Sequence, residues 1–160
     1  MTMTKTDTIP DITLCGHGAR TTTTPTLGQL ATALTRLAAD REVRWLTRFA
    51  AGTLLTTTVP AAPHMYCWLT IWPPATRTQV RTTTPQVCMT LTGELTETTV
   101  TPAGVIERPL HPTKILVHAT PRTRELTNPA TTHAVTLHAI PLPPHREVSN
   151  LSSQLRGEVC

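Results

Sequence analysis

The chain has 160 residues and a mass of 17.4 kDa, which is the size of one domain and excludes a second independent fold. Apolar residues make up 39 % and charged residues 15 %, so the chain can form a core and is too weakly charged to stay disordered. The net charge is +4, but no two basic residues are adjacent, which argues against nucleic acid as a partner.

The cysteines and the N-terminus indicate where the protein works. Cys15, Cys67, Cys88 and Cys160 lie far apart and form no CxxC pair. The N-terminus lacks the apolar segment of a secretory signal, and no apolar stretch approaches the roughly 20 residues of a membrane span. We therefore predict a cytoplasmic protein with reduced thiols and without a membrane partner.

The N-terminal part of the chain predicts an arm followed by helices. Residues 1–25 are rich in Thr and show no sustained period, so they are expected to form an irregular arm. Thr26 and Gln29 have the spacing of a capping box, and leucines recur at helical spacing after them. This pattern predicts a helix over 27–40, and a second, shorter helical segment is predicted over 42–51.

Beyond residue 62 the sequence predicts strands. The chain has 36 Thr and 15 Pro against 3 Ser, a composition that favours strands and turns. Gly93 separates two alternating runs and predicts a hairpin turn. Strands spaced by 8 to 12 residues are typical of a small barrel or sandwich, so we predict a mainly β protein. The predicted strands are 65–72, 87–92, 95–100, 115–118, 124–127 and 134–140.

Two sequence blocks carry a resemblance to a known family. The first is GELTET at 93–98, preceded by an apolar strand and by the turn WPP at 72–74. The second is NP at 128–129, followed by AVTLHAI at 134–140 and PP at 143–144. In this order and at this separation, the blocks resemble the central hairpin and the closing strand of the cysteine dioxygenase family of cupins.

The resemblance covers roughly residues 26–145 and implies a fold for them. It implies a cupin-type, jelly-roll-like small β-barrel preceded by one or two N-terminal helices. Residues 146–160 are then expected to form a C-terminal tail.

The resemblance also implies an iron site, which this sequence departs from. In the family, three His hold a ferrous ion, two of them in a His-x-His motif. Counting from Gly93 and from Trp72 places this motif within 79–83, and counting from Asn128 places the third ligand at Arg124. None of these positions is His, and a guanidinium does not bind metal. We therefore predict no metal and no other cofactor, and no oxidation of cysteine by the family mechanism.

One histidine of the implied active site remains. The family's Ser, His and Tyr on the closing strand correspond to Thr136, His138 and Ile140, so only the His is retained. The parity of His138 predicts that it faces the barrel cavity. It is the candidate catalytic residue, as a general acid or base or as a ligand contact, and the alternative is a buried neutral His with a structural role. His118 is the best partner for a pair, but no third metal ligand is evident.

The replacements at the former ligand positions suggest an anion site. If Arg81 and Arg124 both occupy these positions, two permanent positive charges converge in one cavity and need an anion. We predict that Arg81, Arg124, Gln79 and Thr136 bind this ligand, with His138 opposite. Protonation of His138 would then strengthen binding as the pH falls through roughly 6.5.

A second arrangement of the arginines stays open. Both could reach solvent or pair with Glu94, Glu97 or Glu125, in which case no anion is needed.

Two classes of function follow from the sequence. The first is a metal-independent cupin that binds, and as a further step transforms, a small anionic metabolite of secondary or sulfur metabolism. The second is a catalytically dead relative of cysteine dioxygenase that acts as a binding or interaction module. An active thiol dioxygenase with unusual iron ligands is a less favoured third. The protein is expected to be a monomer or a homodimer.

Overall fold

Two helices precede nine strands in the computed structural model, which describes residues 23–49 and 52–143. Helix α1 (Leu27–Ala39) begins at the predicted capping box, because Thr26 and Gln29 satisfy each other's backbone N–H groups. Helix α2 (Arg41–Leu46) is shorter than predicted. No helix among these residues is long and apolar enough to cross a membrane. The predicted arm, apart from residues 23–25, and the predicted C-terminal tail lie outside the described residues.

The six predicted strands are confirmed, and each of their ends lies within two residues of the prediction. The structure also contains three strands that the sequence pattern does not predict. The unpredicted strands are β1 (Leu55–Val59), β3 (Arg77–Thr82) and β6 (Gly104–Leu110). The bounds are β1 Leu55–Val59, β2 Met65–Trp72, β3 Arg77–Thr82, β4 Gln86–Thr92, β5 Leu95–Thr101, β6 Gly104–Leu110, β7 Ile115–His118, β8 Arg122–Thr127 and β9 Ala134–Pro141.

The strands form two antiparallel sheets that enclose the barrel interior. The five-stranded sheet has the order β1-β2-β9-β4-β7, and the four-stranded sheet has the order β3-β8-β5-β6. Strand β9, the last described strand in the chain, therefore lies in the middle of its sheet, between β2 and β4. The prediction of a mainly β barrel after N-terminal helices is confirmed.

Gly93 does not form the predicted hairpin, because β4 and β5 belong to different sheets. The chain passes from one sheet to the other at this residue, with a positive φ of 79°. A Cβ atom at Gly93 would lie 2.5 Å from the Cα atom of Ala134. The position therefore requires glycine for both its backbone conformation and its close contact with β9.

The two faces of the five-stranded sheet pack against different partners. On the outer face, Leu30 and Leu34 of α1 pack in one cluster with alternate residues of the sheet, such as Leu69 and Leu137. On the inner face, a second cluster packs between the sheets and contains Trp72, Cys88, Leu95, Leu110, Leu116, Leu126 and Ala134. The strand period of two thus sends Val135, Leu137 and Ala139 outward, and Thr136 and His138 inward, as predicted.

Candidate functional site

His138 lies at the centre of the inner face of the five-stranded sheet. The strand register places it between Trp68 of β2 and Cys88 of β4. The indole of Trp68 stacks on the imidazole, with ring centroids 4.9 Å apart and an interplanar angle of 7°. The ring of His138 is buried, and it lies between residues of the two neighbouring strands.

Thr136 connects His138 to a second tryptophan. The indole Nε1–H of Trp72 donates to Thr136 Oγ1 at 2.9 Å, and the same oxygen lies 2.7 Å from His138 Nε2. All three side chains are buried. They form a continuous hydrogen-bonded chain across the inner face, which we call the Trp72–Thr136–His138 relay.

A second imidazole lies beside Cys88. His118 Nε2 is 3.5 Å from Cys88 Sγ, and both side chains are buried. Burial raises the pKa of Cys88 to about 11, so the residue is a protonated thiol at neutral pH. A buried thiol of this kind is not an activated nucleophile.

Both buried histidines are neutral at physiological pH. Burial, together with the nearby charge of Arg124, lowers the pKa of His138 to about 3. Burial, followed by the charges of Arg124 and Arg122, lowers the pKa of His118 to about 3 as well. The expectation that His138 gains a proton near pH 6.5 is therefore wrong, because burial and the charge of Arg124 both oppose a further positive charge.

The opposite wall of the interior, on the four-stranded sheet, carries a cluster of charges around Glu97. Its Oε1 atom accepts hydrogen bonds from Arg108 at 3.0 Å and from Arg122 at 2.5 Å. Arg124 Nε lies 3.7 Å from the other carboxylate oxygen, Oε2. Arg124 also donates to Thr82 Oγ1 at 2.6 Å. Arg108, Arg122 and Arg124 with Glu97 thus form a charge cluster with an excess of two positive charges.

The cluster extends from solvent into the interior. The side chains of Arg108 and Arg122 are 43 % and 34 % exposed, whereas those of Arg124 and Glu97 are 1 % and 3 % exposed. Arg124 is also the charge that acts most strongly on the buried histidines and on Cys88. It is therefore the member of the charge cluster whose charge acts most on the imidazoles of the opposite sheet.

Several buried polar atoms of this interior have no hydrogen-bond partner among the described residues. They belong to both walls, and the guanidinium nitrogens among them can only donate. Unpartnered buried polar atoms are rare in folded proteins and call for a ligand or water. The atoms are Thr90 Oγ1, Glu97 Oε2, His118 Nδ1, Arg122 Nε, Arg124 Nε and His138 Nδ1.

The structure brings together three of the five predicted site residues. Arg124, Thr136 and His138 are all buried in the interior. Arg81 and Gln79 are exposed, because strand alternation on β3 turns Thr82 inward and these two residues outward. The predicted convergence of Arg81 with Arg124 is therefore not found.

Gln79 and Arg124 have other neighbours than those predicted. Gln79 lines a groove of about 650 Å³ on the four-stranded sheet, and atoms of Arg122 and Arg124 also line it. For Arg124, the alternative that it pairs with Glu97 is the arrangement observed.

The sequence analysis names Glu97 only as one of three possible partners of the arginines, and it does not identify Arg108 and Arg122 as members of the site. Glu97 shares the parity of the buried Leu95 on β5, which is a signal for an inward carboxylate. Arg122 lies two residues before the buried Arg124 on β8, so both side chains are on the same face of the sheet. Arg108 could be placed only from the pairing of β6 with β5, where it lies directly opposite Glu97.

The interior does not fit the iron site that the resemblance implies. Among residues 23–49 and 52–143, no group of three or more His, Cys, Asp or Glu side chains is placed to hold a metal ion. The nearest approach to such a set is His118 with Cys88, and the permanent charge of Arg124 acts on both. A cation is repelled there, so no step of chemistry is assigned to a metal.

Comparison with known proteins supports the fold. No family model matches the chain, and no curated protein sequence matches it significantly. The fold is similar to a cupin superfamily protein from Desulfitobacterium hafniense, with 11 % identity, coverage of 62 % of this chain and 86 % of that chain, and a TM-score of 0.50. It is also similar to the TT1209 protein from Thermus thermophilus, with 17 % identity, coverage of 65 % and 98 %, and a TM-score of 0.51. The chain thus has a cupin fold.

Proposed function

We propose that this cupin binds a small anionic metabolite inside its barrel without the help of a metal ion. The observation that carries the proposal is the charge cluster, in which three guanidiniums share one buried carboxylate. Buried charges need a partner, and Arg124 is the one buried guanidinium of the three. The hydrogen bonds of Glu97 go to the partly exposed Arg108 and Arg122, whereas Arg124 Nε makes none. A bound anion would supply the missing negative charge.

The exposure of the cluster supports a route for this ligand. Arg108 and Arg122 are partly exposed and Arg124 is not, so an anion attracted at the surface would meet stronger, less screened positive charge as it enters. Guanidiniums also suit a carboxylate or a similar oxyanion, because their N–H groups form paired hydrogen bonds with two oxygens.

The protonation states favour binding over acid–base catalysis. A general acid or base is most effective when its pKa lies near the working pH. The pKa values of about 3 for His118 and His138 and of about 11 for Cys88 lie far from neutral pH. A binding module is therefore the first form of the proposal. If the protein is an enzyme, the interior would act by stabilising negative charge with fixed donors, which needs no titrating group.

We further propose that the chain is a divergent relative of cysteine dioxygenase. The sequence blocks at 93–98 and 134–140 support this kinship, and the loss of the three-His set would mark the change of function. In this view, Arg124 stands where a neutral metal ligand once stood, and an anion has replaced the metal as the occupant of the barrel.

Calorimetric titration tests the proposed function. Acetate and sulfate are expected to bind, whereas acetamide, which has the shape of acetate without its charge, is not. Arg124→Met is expected to weaken anion binding by on the order of 2 kcal/mol, because a buried charge-assisted contact is lost. Arg81→Met removes the same charge from the exposed face of β3 and serves as the matched control. Equal binding of acetamide and acetate, or equal losses in the two variants, would refute the proposal.

A further inference from the structure

We propose that His138 meets the bound anion as a hydrogen-bond donor through Nδ1–H, a tautomer that the Trp72–Thr136–His138 relay fixes. This inference rests on the proposed function and specifies it. It makes His138 a residue that selects ligands with a free acceptor oxygen, rather than one that removes a proton from them.

The direction of the relay follows from the chemistry of its first member. An indole Nε1–H can only donate, so Trp72 occupies one lone pair of Thr136 Oγ1 at 2.9 Å. The hydroxyl of Thr136 then has one hydrogen left to donate. Among the described residues, the further partner of this oxygen is His138 Nε2, at 2.7 Å.

The hydroxyl hydrogen of Thr136 must therefore point to Nε2 of His138. In the opposite arrangement, Nε2–H would donate to Thr136 Oγ1, and the hydroxyl hydrogen would be buried without an acceptor. Thr136 is only 2 % exposed, so water does not replace the missing acceptor at low cost. Nε2 accordingly accepts, and a neutral imidazole carries its single hydrogen on Nδ1.

The hydrogen on Nδ1 has no partner of its own. Nδ1 of His138 is buried and makes no hydrogen bond among the described residues. The ring is held in place, because Trp68 stacks on it in nearly parallel orientation and β4 borders it on the other side. The result is a fixed, neutral and buried N–H group on a residue of the inner face, and it has no acceptor among the described residues.

Arg124 contributes a positive charge beside the neutral donor of His138. Its positive charge acts on His138, and its Nε also lacks a hydrogen-bond partner among the described residues. A ligand that satisfies both groups needs at least two acceptor oxygens and a negative charge, as in a carboxylate or a sulfonate. An amine or another donor group placed against Nδ1–H would leave both hydrogens unpaired, so such ligands are rejected.

Histidine NMR on the full-length protein tests the tautomer directly. Correlations between the ring nitrogens and carbon-bound protons distinguish the Nδ1–H from the Nε2–H form. In the ligand-free wild type at pH 7, His138 is expected to be the Nδ1–H form. Thr136→Ser keeps the hydroxyl and is expected to keep this form, whereas Thr136→Val removes the donor to Nε2 and is expected to make Nε2–H the major form. An Nε2–H form in the wild type would overturn the inference, whatever the protein binds.

A sulfate titration of the same samples tests the role of the donor. The Nδ1–H signal is expected to shift on saturation with sulfate, and sulfate affinity is expected to fall about tenfold in Thr136→Val and to stay close to the wild-type value in Thr136→Ser. If sulfate binds and the Nδ1–H signal does not move, the donor role is refuted while the proposed function stands. If sulfate and acetate fail to bind at all by calorimetry, the proposed function fails and the donor role fails with it, even where the tautomer is as expected.

Discussion

Arg124 Nε lies 3.7 Å from Glu97 Oε2, which is an ion-pair distance but is too long for a hydrogen bond. The other carboxylate oxygen, Oε1, already accepts from Arg108 and Arg122. Glu97 thus faces three guanidiniums and makes hydrogen bonds to only two. This geometry leaves Arg124 as the least neutralised charge of the cluster, and it makes Glu97 the residue on which the cluster depends.

Glu97→Gln is expected to destabilise the protein in a way that an anion reverses. The substitution preserves shape and removes the only negative charge of the cluster, so the buried guanidinium of Arg124 loses its ion-pair partner at a cost of about 3 to 5 kcal/mol. Sulfate is expected to raise the melting temperature of this variant more than that of the wild type. Thermal denaturation with and without sulfate measures both effects. Glu94→Gln, at an exposed position, is the control. If Glu97→Gln is as stable as the wild type and sulfate does not raise its melting temperature, this account of the cluster is contradicted.

Sulfate affinity is expected to be constant between pH 8 and pH 5. The pKa of His138 is about 3 in the ligand-free protein, and a donating Nδ1–H needs no further proton to bind sulfate. The imidazole is therefore expected to stay neutral in this range, and the arginines stay charged. Sulfate is chosen because it keeps its double charge throughout. Calorimetry at constant ionic strength gives the affinity, and a rise of tenfold or more centred near pH 6.5 would show that His138 titrates as an exposed histidine does.

Stability is expected to fall as the pH decreases from about 6.5 toward 3. The pKa values of His118 and His138 are about 3 in the folded state and near 6.5 in the unfolded chain. Below pH 6.5 the unfolded state therefore binds protons that the folded state does not, and each histidine costs about 1.4 kcal/mol per pH unit.

Urea denaturation at a series of pH values measures this loss. Replacement of either buried histidine by Gln is expected to reduce the slope of the free energy of unfolding against pH. The same substitution at the exposed His111 is the control. A wild-type stability that is flat down to pH 4 would be inconsistent with two buried neutral imidazoles.

Gly93→Ala is expected to be far more harmful than Gly104→Ala. At Gly93 a Cβ would lie 2.5 Å from the backbone of Ala134, in a conformation that L residues avoid, for a combined cost of at least about 3 kcal/mol. At Gly104 the φ is also positive, but nothing lies within 4 Å, so only backbone strain of about 1 to 2 kcal/mol is expected. Chemical denaturation of both variants gives the order, and equal losses would show that the contact with Ala134 is not what restricts Gly93.

The purified protein is expected to contain much less than one iron atom per chain after dialysis. Positions 79, 81 and 124 hold Gln, Arg and Arg, and the described residues contain no group of three metal-binding side chains. Elemental analysis of protein from iron-supplemented cells measures the content. Near-stoichiometric iron would contradict this prediction and would mean that the chain holds a metal through a different set of side chains.

The elements that the sequence predicts well are those with one apolar face. Helix α1 and strands such as β9 bury alternate or periodic apolar residues, so their period is visible. Strand β3 has polar residues on both faces, and β6 is an edge strand that contains Pro109, so neither shows a usable pattern. The alternation on each side of Gly93 is real, but local alternation does not tell which sheet a strand joins, and the predicted hairpin is therefore wrong.

The candidate site is predictable where it depends on parity and unpredictable where it depends on pairing between strands. His138 and Thr136 follow from the alternation of β9 alone. The inward position predicted for Arg81 depends on counting residues from family motifs, and an uncertainty of one residue in that count reverses the face of a strand. The meeting of Glu97 with Arg108 and Arg122 requires the registers of β5, β6 and β8, which no local pattern contains.

The central position of β9 has a consequence for the order of events during synthesis. Strands β2 and β4 both pair with β9, yet β9 leaves the ribosome after all the other described strands. Until then, β2 and β4 each expose an unpaired edge, and Leu30 and Leu34 of α1 lack part of the surface that they cover. A nascent chain that stops before Ala134 can assemble the four-stranded sheet but cannot complete the five-stranded one. Closure of the barrel is thus a late step, and the strand that brings His138 into the interior is the one that completes it.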